Sequence, residues 1–178
     1  MRLRPPLASD FAQWQVERKD SRDFLQRWEP KWPADDLTRI GFRRRLKSYQ
    51  GQLRAGTGYT FFLVDRNETL LGGVSLTRVE RGCSASATLG YWMTRKSAGK
   101  GYMQAAVTQM LHFAFTELRL ERVTAATLPS NARSIHLLKK LGFVREGFAR
   151  EYLEINGSRE DHLLFAILKS EHNQTPAN

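Results

Sequence analysis

The run Trp92-Met93-Thr94-Arg95-Lys96-Ser97-Ala98-Gly99-Lys100-Gly101-Tyr102-Met103 combines residue types and spacing that can do chemistry. It reads as a strand end, a glycine turn and a helix start. The first amides of a helix have no internal acceptor, and the helix dipole places partial positive charge there. A diphosphate can take those hydrogen bonds if the backbone comes close. Glycine at 99 and 101 removes the Cβ that blocks approach, and Lys96 and Lys100 add charge beside the turn. Two other phosphate motifs do not fit. A P-loop needs G-x-x-x-x-G-K-[ST], a string absent from the chain. A dinucleotide fingerprint needs a third glycine where Gln104 stands, and it opens a βαβ unit, whereas this turn follows a hairpin run. Taken alone, G-x-G before a helix is equally compatible with a tight turn packing helix on strand.

A second segment narrows the choice. Lys96-Ser97-Ala98-Gly99-Lys100-Gly101 resembles the Q/R-x-x-G-x-G/A motif of the GNAT acetyltransferase superfamily, with lysine in place of the usual Gln or Arg. Asn131-Ala132-Arg133-Ser134, running on to Leu141-Gly142-Phe143, resembles the N-x-x-S…L-G-F helix of the same superfamily. Trp28-Glu29-Pro30, Leu89-Gly90-Tyr91, Glu151-Tyr152-Leu153 and Asp161-His162-Leu163 extend the likeness to the RimJ/RimL type, the ribosomal-protein N-terminal acetyltransferases. Within that type the sequence is most similar to the alanine-directed members. The resemblance implies a GNAT-type fold: a central mixed, twisted sheet of about seven strands, a splayed strand pair that binds coenzyme, and helices on both faces. It implies acetyl-CoA as co-substrate, with no metal.

The resemblance also implies roles. Trp92, Met93 and Thr94 at the strand end would hold the pantetheine arm as a pseudo-strand, although Trp92 also fits a core position. Lys96, Ser97, Gly99, Lys100, Gly101, Tyr102 and Met103 would surround the diphosphate. Asn131 would bind the arm through its side-chain amide, or cap its own helix, a role Asn favours. Ser134 would help the thiol leave, and little help is needed because a thiol has a pKa of about 8.5. Trp28 and Glu29 would line the acceptor side. For the base, the strand Ala87-Thr88-Leu89-Gly90-Tyr91 offers no acid. Glu151 is the expected catalytic carboxylate, and Glu154 competes because the spacing shifts by two.

A weak base suffices for one class of acceptor. An α-amine with a pKa of about 7.7–8.0 is about 10–15% neutral at pH 7, whereas a lysine at about 10.4 is only about 0.04% neutral. The expected reaction is direct attack of an α-amino group on the thioester, the acceptor being the N-terminal Ala or Ser of a ribosomal protein. A small-molecule amine as acceptor, and a non-catalytic basic module that binds the ribosome or RNA, remain as alternatives. The formal charge of +10, from 28 Lys+Arg against 18 Asp+Glu, favours phosphate-bearing partners. Arg39, Arg43, Arg44, Arg45, Lys47 and Arg54 form its densest cluster, read either as a solvated helix face or as an RNA landing patch.

The elements that must position these residues follow from periodicity. The chain of 178 residues suits one α+β (mixed α/β) domain over 1–170, with a flexible tail at 171–178. Leu3 to Pro5 reads as an edge strand, residues near Phe11 to Val16 as a helix, and Ala34 to Arg54 as another. Tyr59–Val64, Leu70–Val79 and Ser84–Thr94 read as consecutive strands. Met103 to Leu118 carries i, i+3, i+4, i+7 apolar spacing. A strand at Arg122–Thr127 and a helix at Asn131–Leu141 follow. Two strands, near Phe143–Gly147 and Tyr152–Ile155, then lead through the Asn156-Gly157 turn to a strand at Leu163–Leu168. One cysteine, Cys83, permits no internal disulfide. No apolar run nears the ~18 residues of a membrane span, and no secretory signal is legible, so a cytoplasmic monomer or homodimer is expected.

Overall fold

A computed structural model of the chain describes residues 1–172. Seven strands form one sheet in the order β1-β2-β3-β4-β5-β7-β6. They are β1 (Arg2–Arg4), β2 (Tyr59–Val64), β3 (Leu70–Thr77), β4 (Ser86–Met93), β5 (Arg122–Thr127), β6 (Val144–Ile155) and β7 (Ser158–Leu168). Only β4 and β5 run parallel. Parallel neighbours need a long crossover, and α4 (Tyr102–His112) supplies it. The helices preceding it are α1 (Phe11–Asp20), α2 (Arg22–Leu25) and α3 (Arg39–Ala55), and those following are α5 (Ala132–Lys140) and α6 (Lys169–His172).

The two sheet faces are covered by different helices. On one, α4 and α5 bury Val107, Met110, Leu111 and Leu138 against Leu89, Val123, Ala125 and Ile167. On the other, Phe11 and Trp14 of α1 and Phe42 and Leu46 of α3 pack on Phe62, Val64 and Leu70. Strand alternation accounts for the division: Phe62 and Val64 face one side while Phe61 and Leu63 face the other. Residues 34–37 form a turn rather than the expected first turn of α3. Thr38 caps the helix by accepting the Gly41 amide at 3.1 Å. Gly56, at φ 67°, ends it in the left-handed conformation.

Other boundaries also differ from the sequence expectation, and β7 begins at Ser158 rather than at Leu163. The two strands expected between Phe143 and Ile155 are one long strand, β6, whose register shifts between Arg145 and Gly147 and again between Ala149 and Leu153. The bulges interrupt the period-2 pattern and so mimic a break. The chain past Leu168 turns into α6, which takes in Glu171 and His172 of the expected tail. The remainder of that expected tail, 173–178, lies outside the described residues. No helix among the described residues is long and apolar enough to cross a membrane.

The basic cluster on α3 is partly neutralised. Arg44 pairs with Asp35 at 2.9 Å, and Arg45 pairs with Asp36. Arg39 lies 4.6 Å over the Phe11 ring.

Candidate active site

The sheet opens where β4 and β5 part. They are paired only at Ser86–Arg122, Ala87–Val123 and Thr88–Thr124, yet β4 continues to Met93 and β5 to Thr127. The Thr94 amide donates to the Leu71 carbonyl at 2.8 Å. Hydrogen bonding alternates along an antiparallel pair, and the β3–β4 register is unbroken from Thr77↔Thr88 to Gly72↔Met93. The amides of Met93 and Tyr91 therefore point away from β3, into the gap, while the Leu89 amide closes the β4–β5 ladder at Thr88↔Thr124. An amide-bearing arm can add there as a further strand.

A cavity of about 850 Å³ occupies the gap. At one end lies the glycine turn. Arg95–Ser97 form a short 3-10 turn, and the amides of Ser97 and Ala98 donate to Thr94. Among the described residues the amides from Gly101 to Gln104 make no backbone hydrogen bond, and the first bond of the α4 ladder is Ala105 to Gly101 at 3.2 Å. Gly99 and Gly101 sit at φ 78° and 79°, and a Cβ on either would meet no protein atom beyond its chain neighbours within 4 Å. The cradle is open in front of unpaired donors, with Lys100 and Lys140 on its wall. It fits the diphosphate of coenzyme A.

In the middle of the cavity, the Tyr91 hydroxyl lies 2.7 Å from the Ser134 hydroxyl. Asn131 caps α5 by accepting the Ser134 amide at 3.2 Å, which aims Ser134 at the gap. The cap uses Oδ1 and leaves the side-chain NH2 free to donate, so both expected roles of Asn131 are compatible. Burial pushes the Tyr91 phenol up, partly offset by the Ser134 hydrogen bond, so it keeps its proton. Tyr91 and Ser134 form a short donor chain able to deliver a proton. Replacing either alone, as Tyr91→Phe or Ser134→Ala, should lower kcat about tenfold. The double variant should lose little more than the worse single, because both act through one hydrogen bond. Fully multiplicative losses in steady-state kinetics would show independent roles.

The far end is lined by Trp28, Glu29 and Pro30 on one side and by Leu153, Glu154, Ile155 and His162 on the other. The Asn156 amide donates to the Glu29 carbonyl at 2.9 Å, tying the β6–β7 turn to this wall. His162 is 3% exposed, with Nδ1 2.9 Å from the Glu160 carbonyl oxygen. A carbonyl only accepts, so Nδ1 donates to it.

Several expected site residues are used differently. The Thr94 amide is taken by Leu71, and its side chain is buried outside the cavity. The Lys96 ammonium faces Glu17 at 3.4 Å and Asp20 at 3.5 Å, away from the cradle. Ser97 lines the cavity but spends its amide on Thr94. Trp92 lines the cavity with its ring against Phe62, so its core and site readings coexist. Met93, Tyr102 and Met103 line the cavity as expected. Glu29 does so too, but its charge is cancelled: both oxygens accept from Arg18, at 2.8 and 2.6 Å, and Trp32 Nε1 donates at 2.8 Å. Glu151 does not line the cavity. It is exposed at φ 45° on the second β6 bulge, with its amide donating to Asp161 at 2.8 Å. Glu154 does line it. Among the described residues, no cluster of His, Cys, Asp or Glu can hold a metal.

Sequence reasoning missed the side chains of Tyr91 and Arg18. Tyr91 was legible, because alternation from Met93 puts it on the same strand face. Arg18 gave no signal, since its partners come from distant segments.

A splayed parallel pair, a diphosphate cradle at a helix start and a proton donor between them define a coenzyme A-dependent acyltransferase. Residues 1–144 match the family described as "Acetyltransferase (GNAT) domain", and the chain belongs to that family. It is therefore an acetyl-CoA-dependent N-acetyltransferase. "Probable N-acetyltransferase YjcK" of Bacillus subtilis is 35% identical over 173 residues, covering 97% of this chain and 96% of the relative. "[Ribosomal protein uS5]-alanine N-acetyltransferase" of Escherichia coli is 32% identical over 169 residues, covering 93% and 87%. The structure of Mycobacterium smegmatis RimJ in complex with CoA-disulfide superposes with TM-score 0.92 at 30% identity, covering 97% of this chain and 84% of that one.

Proposed function

We propose that the protein acetylates the α-amino group at the N-terminus of a polypeptide, a ribosomal protein beginning with Ala or Ser. The observation that carries this is the acceptor wall. Its one candidate for capturing a cationic amine on the α1–α3 side, Glu29, is bound bidentately by Arg18. The wall therefore lacks the free carboxylates on both sides that a polycationic amine needs. A single α-amine, partly neutral at pH 7, needs only a mild base. The likeness along almost the whole chain to the E. coli enzyme named for an alanine of uS5 supports the same reading.

In this mechanism the gap-facing amides of Tyr91 and Met93 align the arm, and one of them stabilises the oxyanion. Acetyl-CoA, when bound, supplies the thioester, and coenzyme A leaves as the thiol. Glu154 takes the proton from the attacking amine, and Tyr91, backed by Ser134, gives one to the departing thiolate. No acetyl-enzyme is required, and Cys83 is exposed before β4.

Glu154→Gln should lower kcat/KM about 10- to 100-fold near pH 7, with the deficit shrinking as pH rises past the acceptor's own pKa. Glu151→Gln should leave kcat/KM within about twofold, since that side chain does not line the cavity. A pH–rate profile of both variants checks this. The function itself is tested by incubating the protein with acetyl-CoA and peptides that begin with Ala or Ser and contain an internal lysine. Mass spectrometry should place the acetyl on the α-amine. Acetylation confined to lysine, or turnover only on a parallel panel of small amines, would refute the reading.

A further inference from the structure

A second cavity, of about 540 Å³, opens beside the first. Three arginines line it, Arg27, Arg95 and Arg133, and its lining contains no acidic residue. Each arginine is held by a contact that leaves its charge in place. Arg133 lies 5.6 Å over the Phe24 ring, bridging α5 to α2. Arg27 donates through Nε to the Asp23 carbonyl at 3.3 Å and sits 5.9 Å from the Trp28 ring. Arg95 is anchored through its backbone amide to the Ser21 hydroxyl at 3.0 Å. No ion pair among the described residues engages any of the three. Like charges gathered in one concavity, without counter-charge, raise the local potential for an anion, and guanidinium groups favour oxyanions through paired N–H donors.

We propose that this cavity is an anion subsite that takes an acidic side chain of the acceptor polypeptide, a few residues past its α-amine. The proposal rests on the reading that the acceptor is a polypeptide. Location favours the acceptor over the coenzyme. The two cavities share Phe24, Trp28, Ala98, Asn131 and Arg133, and Arg27 precedes Trp28 on the 3-10 turn Gln26–Trp28. The diphosphate has its own partners in the unpaired amides of the glycine turn, with Lys100 and Lys140, and neither lysine lines the second cavity. An extended chain advances about 3.3–3.6 Å per residue. With its α-amine at Glu154, it can pass Trp28 and present an early side chain to the arginines. The same three charges repel a polycationic amine at the entrance.

The test compares short peptides that begin with alanine and carry either glutamate or glutamine at the second, third or fourth position. At one of these positions the native protein should show kcat/KM about tenfold higher for glutamate. In the Arg27→Gln/Arg95→Gln double variant that ratio should fall to near one. A native ratio within about twofold at all three positions overturns the proposal. So does an unchanged ratio in the folded variant. A variant whose KM rises for acetyl-CoA but not for its 3′-dephospho analogue, with the peptide ratio intact, assigns the arginines to the coenzyme and also overturns it. If no peptide is acetylated while a small amine is, the parent reading of the acceptor fails and takes this one with it.

Discussion

Gly101→Val should raise the KM for acetyl-CoA about a hundredfold. Gly101 is the N-cap of α4 at φ 79°, a conformation that costs a residue with a Cβ about 1–2 kcal/mol. The protein itself has room for the side chain, because nothing beyond the chain neighbours lies within 4 Å of the Cβ position. The valine would instead fill the space in front of the unpaired amides, where the diphosphate must sit. Losing one or two charge-assisted hydrogen bonds, at about 1.5–3 kcal/mol each, accounts for a factor of this size. Backbone strain alone predicts a different result, and Gly82 separates the two. It has φ 66°, equally open surroundings and no place in the cavity. Gly82→Val should therefore lower the unfolding midpoint comparably while leaving the coenzyme KM unchanged. Steady-state kinetics and thermal unfolding of the two variants make the comparison.

Glu29→Ala should destabilise the fold by about 3 kcal/mol. The loss arises in Arg18, which is 5% exposed and whose Nε already lacks a partner. Its guanidinium lies 4.2 Å from the Trp32 ring and 5.0 Å from the Trp92 ring, with the Glu29 carboxylate as its counter-charge. Removing one member of a buried pair strands the other and costs about 3–5 kcal/mol. The low end applies because the Glu29 side chain is 22% exposed and water can partly replace it. A typical domain has a net stability of about 5–15 kcal/mol, so the loss is a large share. Replacing both members with apolar residues, as Arg18→Met/Glu29→Leu, should recover most of it, since no charge is then left buried. Urea unfolding should show the midpoint drop in the single variant and its recovery in the double. An unmoved midpoint in Glu29→Ala would mean the pair is solvated rather than buried.

The parts legible in the sequence were those with a local cause. Paired glycines before an amphipathic run marked the cradle, and Asn131 three residues before Ser134 marked a capped helix. The order of elements implied a mixed sheet, and resemblance supplied the splay between β4 and β5. The parts that were not legible depend on partners far along the chain. The charge of Glu29 is cancelled by Arg18, eleven residues away on α1. Lys96 is drawn from the cradle by Glu17 and Asp20. Glu151 and Glu154 are three residues apart on one strand. The register shift between Ala149 and Leu153 decides which of them reaches the cavity, and no composition signal marks that bulge. The half-neutralised arginines of α3 show the same limit, since charge counts along a helix ignore the Asp35–Asp36 turn folded beside it.

The account turns on the free edge of β4 receiving the coenzyme arm. Amide hydrogen exchange of the folded protein, resolved by residue and measured with and without coenzyme A, addresses that edge directly. Exchange at Tyr91 and Met93 should slow markedly on saturation, together with the amides from Gly101 to Gln104, while Thr94, already bonded to Leu71, should change little. Binding that protects the glycine turn but leaves Tyr91 and Met93 exchanging as in the free protein would contradict it.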